Sequence, residues 1–320
     1  MEFKILASML AIILVAGCTI PSFDFGGGTP LGTSGNGLEI TSFTAEPTPV
    51  YSNARVRITM EIENQGGTTV NRTKALSYLT GSNVDLGSGD DRYWRSSDDT
   101  EYKTFTRDMR AVDVVRGTSA DTTRFTWSLT APVIPAGQTR TDTFYGRTYC
   151  DYTTGVNGNV WVYTEGEADA AKASGRSLNK ASFTSTSGPV GLSVKISPDP
   201  VIYYSDTSGG ETFSLYITVS NLASGTIYLT GKNYGSTPFT IADTEYNQVM
   251  VNVDPASGLT ITNSPDCTGQ QELPAGKSTT LVCDFTISTP PTTFQSFPIT
   301  ITADYGYFTE RSATVVVQGK

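Results

Sequence analysis

The sequence predicts an all-β protein built from two tandem antiparallel β-sandwich domains. Three observations lead there. The composition is rich in Thr, Ser, Gly, Tyr and Val and poor in Lys, Glu, Ala and Leu, which favours strands over helices. Pro and Gly recur roughly every 10 to 15 residues, as the turns of a sandwich require. One strand-and-turn pattern also occurs twice, as a tandem repeat should.

The first copy opens with Glu46-Pro47-Thr48-Pro49-Val50 and continues as Val56-Arg57-Ile58-Thr59-Met60-Glu61-Ile62-Glu63-Asn64, a glycine turn and Thr69-Val70. The second opens with Pro198-Asp199-Pro200-Val201 and continues as Phe213-Ser214-Leu215-Tyr216-Ile217-Thr218-Val219-Ser220-Asn221, then Gly225-Thr226-Ile227. Successive strand side chains point to opposite faces. Val56, Ile58, Met60 and Ile62 therefore face one core, and Phe213, Leu215, Ile217 and Val219 another. Asn64 and Asn221 stand where each strand yields to a turn.

Three further matches follow in the same order. Pro135-Ala136-Gly137 matches Pro274-Ala275-Gly276, Cys150-Asp151-Tyr152 matches Cys283-Asp284-Phe285, and Ala168-Asp169 matches Ala303-Asp304. The last match argues that Ala168 to Ala173, despite its helical propensity, continues a strand. On this alignment the domains span 38–187 and 188–320, joined by a linker at Ser185 to Pro189. The distance from Asn64 to Gly137 is 73 residues and from Asn221 to Gly276 is 55. The first domain should therefore carry an insertion, placed at about 81–100.

Ahead of the repeats, the apolar run Ile5 to Ala16 is 12 residues long. At ~1.5 Å per helical residue it reaches roughly 18 Å, short of a ~30 Å hydrocarbon core, and suits a signal-peptide core. It closes on Leu14-Val15-Ala16-Gly17-Cys18, which resembles the lipobox of a bacterial-type lipoprotein precursor. That resemblance implies a signal peptide at 1–17, lipid on Cys18 and an extracytoplasmic, membrane-tethered location at the cell surface or envelope. Residues 18–37, with Gly26-Gly27-Gly28 and Thr29-Pro30, read as a flexible tether.

The Pro-x-Pro-Val opening, the alternating strand ending in Asn and the Pro-Ala-Gly turn resemble the CARDB family of cell-adhesion-related modules. The resemblance implies an immunoglobulin-like sandwich in each domain and a role in surface display or binding. It brings no catalytic residues with it.

Charge and composition narrow the function. A net charge of −9 repels phosphate backbones, so no nucleic-acid partner is expected. The chain has 0 histidines, which removes the commonest general base and transition-metal ligand. No catalytic role and no cofactor are expected. The expected partners are the membrane, through the lipid anchor, and a surface protein or glycan.

Cys267 and Cys283 lie 16 residues apart around the Pro274-Ala275-Gly276 turn. In an oxidising compartment they are expected to form a disulfide. Cys150 is then left as a small buried hydrophobe or an intermolecular bridge. In the inserted loop, Tyr93 and Trp94 form a candidate contact site, or fold back on their own domain as a lid. Asp90, Asp91, Asp98 and Asp99 are a weak calcium set, since calcium takes oxygen ligands, or simply a solvated acidic loop. Trp127 alternates with polar neighbours and reads as core. Tyr203-Tyr204 and Tyr305-Gly306-Tyr307-Phe308 read as cross-strand aromatic clusters. Asn71-Arg72-Thr73 is a glycosylation sequon.

Overall fold

A computed structural model describes residues 35–320, apart from 87–89, 97–99, 113–116, 206–209 and 236–238. The first half holds β1 (Leu38–Glu46), β2 (Val50–Tyr51), β3 (Arg55–Asn64), β4 (Ala75–Gly81), β5 (Tyr102–Thr104), β6 (Thr122–Thr130) and β7 (Thr139–Thr164). A helix α1 (Glu165–Ala173) and β8 (Ser182–Ser185) follow. The second half holds β9 (Val190–Ser197), β10 (Val201–Tyr203), β11 (Thr212–Asn221), β12 (Thr226–Tyr228), β13 (Gln248–Pro255), β14 (Leu259–Ile261), α2 (Ser264–Cys267), β15 (Gly269–Glu272), β16 (Ser278–Ile287) and β17 (Phe294–Gln318).

The organising feature is β7 paired antiparallel with β17 along the full length of both, from Phe294↔Tyr163 to Gln318↔Thr139. At ~3.3 Å per residue this ladder runs roughly 80 Å. Side chains alternate along it. Phe144, Cys150, Tyr152, Val156, Val160 and Val162 of β7 are buried, as are Phe297, Ile299, Ile301, Ala303, Tyr305, Tyr307, Val315 and Val317 of β17. Two small sheets cover this buried face. The order β1-β3-β6 covers one end, and β14-β16-β11-β9 the other. In β3 and β11 the apolar residues named above all point inward, each at most 2% exposed.

The result is two sandwich-like lobes sharing one sheet and one contiguous core. The expected boundary between Ser187 and Gly188 falls in the connection from β8 to β9. The long strands cross it: the end of β17 lies in the first lobe and the end of β7 in the second. Among the described strands, pairing is antiparallel except for β2 with β17 and β10 with β7, which are parallel.

The ladder has a pseudo-two-fold axis at the pair Asp151↔Gly306. Placing Tyr152 on Tyr307 lays β7 on β17 and maps Tyr163↔Phe294 onto Gln318↔Thr139. The first lobe's β1, β2, β3, β4 and β6 then correspond to β9, β10, β11, β13 and β16. Both turn asparagines act alike. The Asn64 side chain donates to Thr68 O (2.9 Å) and accepts from Gly66 N (3.1 Å). The Asn221 side chain donates to Gly225 O (3.2 Å) and accepts from Ala223 N (3.3 Å).

The same axis corrects the rest of the sequence alignment. Pro135-Ala136-Gly137 leads into β7, whereas Pro274-Ala275-Gly276 leads into β16, the counterpart of β6. The two turns are not equivalent, so the longer spacing in the first repeat compared different turns and marks no insertion. Cys150 lies opposite Tyr307 and Cys283 opposite Leu215, in different sheets. Ala168 to Ala173 is helical, not strand. Thr164 caps the helix by accepting from Glu167 N at 3.4 Å, Glu165 and Glu167 lie in its first turn, and Gly175 follows at φ +69°.

Candidate functional site

The outward face of the long ladder is wet at both ends, and its two ends differ. At the second lobe, the alternation that buries Val160 and Val162 turns Trp161 and Tyr163 outward, and pairing places Phe294 opposite Tyr163. The three rings form one platform. Trp161 and Tyr163 are 6.4 Å apart with planes at 25°, Tyr163 and Phe294 are 5.8 Å apart at 30°, and Trp161 and Phe294 are 6.1 Å apart at 43°. Phe294 is 49% exposed and Trp161 is half-buried. Tyr163 forms the floor at 2% exposed, its hydroxyl accepting from Asn179 N at 2.9 Å.

Amides and hydroxyls continue the face inward from the rings. Ser296 donates to Asn159 at 3.3 Å, Thr300 to Asn157 at 2.9 Å, and Asn252 to Asp304 at 3.4 Å. Ring faces beside fixed polar groups suit ligands that present C–H faces and hydroxyl or amide edges. At the first lobe, the axis puts Val316, Gln318 and Thr139 where Trp161, Tyr163 and Phe294 stand, so the platform belongs to one end alone.

The middle of this face is covered. The ring of Tyr228 lies on Gly306, where an added Cβ would come within 2.0 Å of it. The Tyr228 and Tyr234 hydroxyls are 2.8 Å apart, and Tyr234 donates to Asp151 at 2.6 Å. Lys74 Nζ lies 3.7 Å from the same carboxylate. Burial raises the pKa of both tyrosines. Tyr149, Phe239, Ile241, Tyr246 and Phe308 fill out the cluster, which ties the segment after β12 onto the axis.

Several predicted site residues lie elsewhere. Trp94 is not a contact residue. It is 0% exposed, packs edge-on against Phe144 at 5.1 Å, and donates from Nε1 to Asp142 at 2.8 Å. Asp142, itself 1% exposed, also accepts from Arg140 (2.9 Å) and Asn83 (3.1 Å). A buried carboxylate needs such partners, and Trp94 is drawn into the core to be one. Tyr93 stays partly exposed under the Arg92 guanidinium, 5.9 Å from the ring centre.

Asp90 and Asp91 do not converge on a cation. Asp90 is ion-paired with Arg92 at 2.6 Å, which holds its carboxyl down at about 2, and Asp91 is ion-paired with Arg95. Each carboxylate is spent on a neighbouring guanidinium. Among the described residues no acidic, His or Cys group has metal-site geometry. Asp98, Asp99 and Cys18 lie outside the described residues.

Cys267 and Cys283 are neighbours, with Cys283 Sγ 3.9 Å from Cys267 O, and both are fully buried. No disulfide joins them, contrary to expectation. The turn brings the thiols together, and burial together with the Cys267 contact raises the Cys283 pKa. Cys150 is buried, its pKa pushed up to about 12 by desolvation.

Trp127 is core, donating from Nε1 to Thr100 O at 3.0 Å. Tyr305 and Tyr307 are fully buried, whereas Tyr204 is 41% exposed. Asn71 caps a short turn, accepting from Thr73 N at 2.9 Å. The reading of the sequence missed the platform. Its only signal was Trp161-Val162-Tyr163, two aromatics at strand spacing, and their partner Phe294 is far off in sequence.

No protein-family model and no curated protein sequence matches this chain. Among solved structures, it aligns with the Enterococcus faecalis MSCRAMM ACE, which binds its ligands by the collagen hug model, over 88% of this chain and 95% of that one, at 9% identity and a TM-score of 0.15. A likeness of that size carries no argument about fold or function.

Proposed function

We propose that this is a lipid-anchored cell-surface protein, held to the membrane through Cys18, whose two immunoglobulin-like lobes display an adhesive contact face in the envelope. The observation that carries the reading is the Trp161-Tyr163-Phe294 platform at one end of a rigid ladder. Ring surface half-open to water at the tip of an elongated body suits engagement of an external partner. A glycan partner is the second reading, favoured by Asn159 and Ser296 at the edge of the rings, since a sugar offers a C–H face to the rings and hydroxyls to the amide.

The test is chemical cross-linking on intact cells that display the protein, comparing the native chain with a Trp161→Ala/Phe294→Ala variant. Loss of the native links in the variant supports the platform as the contact face. Identical links in both, with polysaccharide binding also unchanged, overturn it. A variant that keeps its protein links but no longer binds cell-wall polysaccharide selects the glycan reading. Metabolic labelling with a fatty-acid analogue, lost in Cys18→Ser, tests the anchor separately.

A further inference from the structure

The second lobe carries a groove of about 700 Å³ between its small sheet and the segment that leads into β8. That volume falls within the roughly 300–1,000 Å³ of small-ligand sites. None of its lining residues belongs to the aromatic platform. Strand pairing builds the sheet side. Lys195 of β9 pairs with Tyr216 of β11, and Thr218 of β11 pairs with Thr280 of β16. Alternation along β11 puts Tyr216 and Thr218 on the same outward face. Tyr216 is 39% exposed, and Lys195 and Thr280 are exposed too. Ile196 and Phe183 add apolar wall. Lys180 lines the groove from the segment before β8, which is pinned on both sides of it. Asn179 N donates to the Tyr163 hydroxyl at 2.9 Å, and Ala181 N donates to Asp199 Oδ1 at 2.9 Å.

The lining is cationic in an acidic chain. Lys180 and Lys195 are exposed, and among the described residues neither is ion-paired. Asp199 is the only acidic residue among the described lining residues, and one of its oxygens already holds Ala181. The first lobe fills the same positions differently. By the strand pairings, Thr44, Thr59, Glu61 and Arg124 stand where Lys195, Tyr216, Thr218 and Thr280 do. There Glu61 and Arg124 are ion-paired at 3.1 Å, and none of the four residues is aromatic. The first lobe spends its charges on each other, whereas the second leaves ammonium groups and a ring open to a ligand.

We propose that this groove binds an acidic sugar, a pyranose bearing a carboxylate, as in a uronate polysaccharide. Tyr216 offers its ring to a C–H face, and Lys180 and Lys195 hold the carboxylate. Thr218 Oγ1 and Thr280 Oγ1 lie 3.1 Å apart, so one hydroxyl proton is shared between them and the other is left for a sugar hydroxyl. A chain of net charge −9 repels anions at large, so local cations decide where one is held. The described lining contains no arginine, whose fork matches phosphate better than an ammonium does. An acidic peptide would use the lysines but not the ring beside paired hydroxyls. The groove depends on neither lipidation nor the platform.

The test is calorimetric titration of the full chain, in non-ionic detergent at low salt, with tetragalacturonate and with its neutral methyl ester. The native chain should bind the acid about tenfold more tightly than the ester, or better, since bonds to charged groups are the strong ones. Lys180→Gln/Lys195→Gln should abolish that preference, and Tyr216→Ala should weaken both ligands severalfold. Lys277→Gln, an exposed lysine outside the groove lining, should bind as the native chain does. No binding by the native chain, equal binding of acid and ester, or an unchanged lysine double variant overturns the proposal. The ester comparison needs no substitution and so does not depend on how any variant folds. Displacement of the oligosaccharide by polyglutamate or inorganic phosphate at equal concentration overturns the sugar assignment. Trp161→Ala/Phe294→Ala should bind tetragalacturonate as the native chain does. Loss of binding in that variant, with the lysine variant unaffected, puts the sugar on the platform and overturns the groove.

Discussion

Tyr152 and Tyr307 perform the same task in the two lobes. The Tyr152 hydroxyl accepts from Thr68 N at 3.0 Å, and the Tyr307 hydroxyl accepts from Gly225 N at 3.0 Å. Each ring stands on the buried face of the ladder and reaches the turn that its lobe's Asn64 or Asn221 closes. Removing either hydroxyl leaves a turn amide without its acceptor. Tyr152→Phe and Tyr307→Phe should each lower stability by about 1 kcal/mol, since that is the typical net worth of such a bond. Tyr145→Phe, at an exposed position on the same ladder, should change stability little. Urea midpoints measure all three. If both variants match Tyr145→Phe, the hydroxyls contribute nothing to the turns.

Part of this was legible in the sequence. Strict alternation in Val56 to Ile62 and Phe213 to Val219 marks two half-buried strands, and the asparagines after them mark matching turns, because these signals are local. The long ladder is not local. It pairs Tyr152 with Tyr305, and no pattern within either strand names its partner. Pro-Ala-Gly misled because a three-residue turn recurs wherever strands reverse. It precedes β7 in one half and β16 in the other. Trp94 misled because the buried carboxylate it serves, Asp142, belongs to a distant strand.

The two tryptophans should separate stability from binding. Trp94 is fully buried, so Trp94→Ala opens a cavity and strips a donor from Asp142. Losses of about 3–5 kcal/mol are typical of such truncations. Partner binding per folded molecule should be unchanged. Trp161→Ala removes a half-exposed ring and should cost less than about 1.5 kcal/mol in stability while weakening partner binding severalfold or more. Denaturant melts and pull-down of the cross-linked partner decide it. A Trp161→Ala protein that binds normally removes the platform from consideration.

The cysteines make a chemical prediction. Cys150, Cys267 and Cys283 are all fully buried, and the thiolate is the reactive form. With the Cys150 pKa at about 12 and that of Cys283 also raised, the folded protein should resist alkylation at pH 8. In denaturant without reductant, all three should label. The readout is mass spectrometry of iodoacetamide adducts. Labelling of Cys283 in the folded state would contradict its burial. If Cys267 and Cys283 label in denaturant only after reduction, the isolated protein carries the bond that the structure lacks.

Alkaline pH should destabilise the fold. Cys150, Tyr228, Tyr234, Tyr305 and Tyr307 all have raised pKa values, with burial as the largest cause in each. These are acids whose neutral form the core prefers. Below about pH 8.5 both folded and unfolded chains keep the protons, and pH has no effect through these groups. Above the ordinary thiol and phenol values, about 8.5 and 10, the unfolded chain releases protons that the folded chain retains. The unfolded state then binds fewer protons, so stability falls as pH rises, by up to about 1.4 kcal/mol per pH unit for each such group. The melting temperature should stay level from pH 7 to 8.5 and drop progressively to pH 11. Tyrosinate absorbance should appear together with unfolding rather than before it for the buried rings. A melting temperature that holds to pH 11, or full tyrosinate absorbance in the folded protein, would show that these hydroxyls and thiols are reached by water.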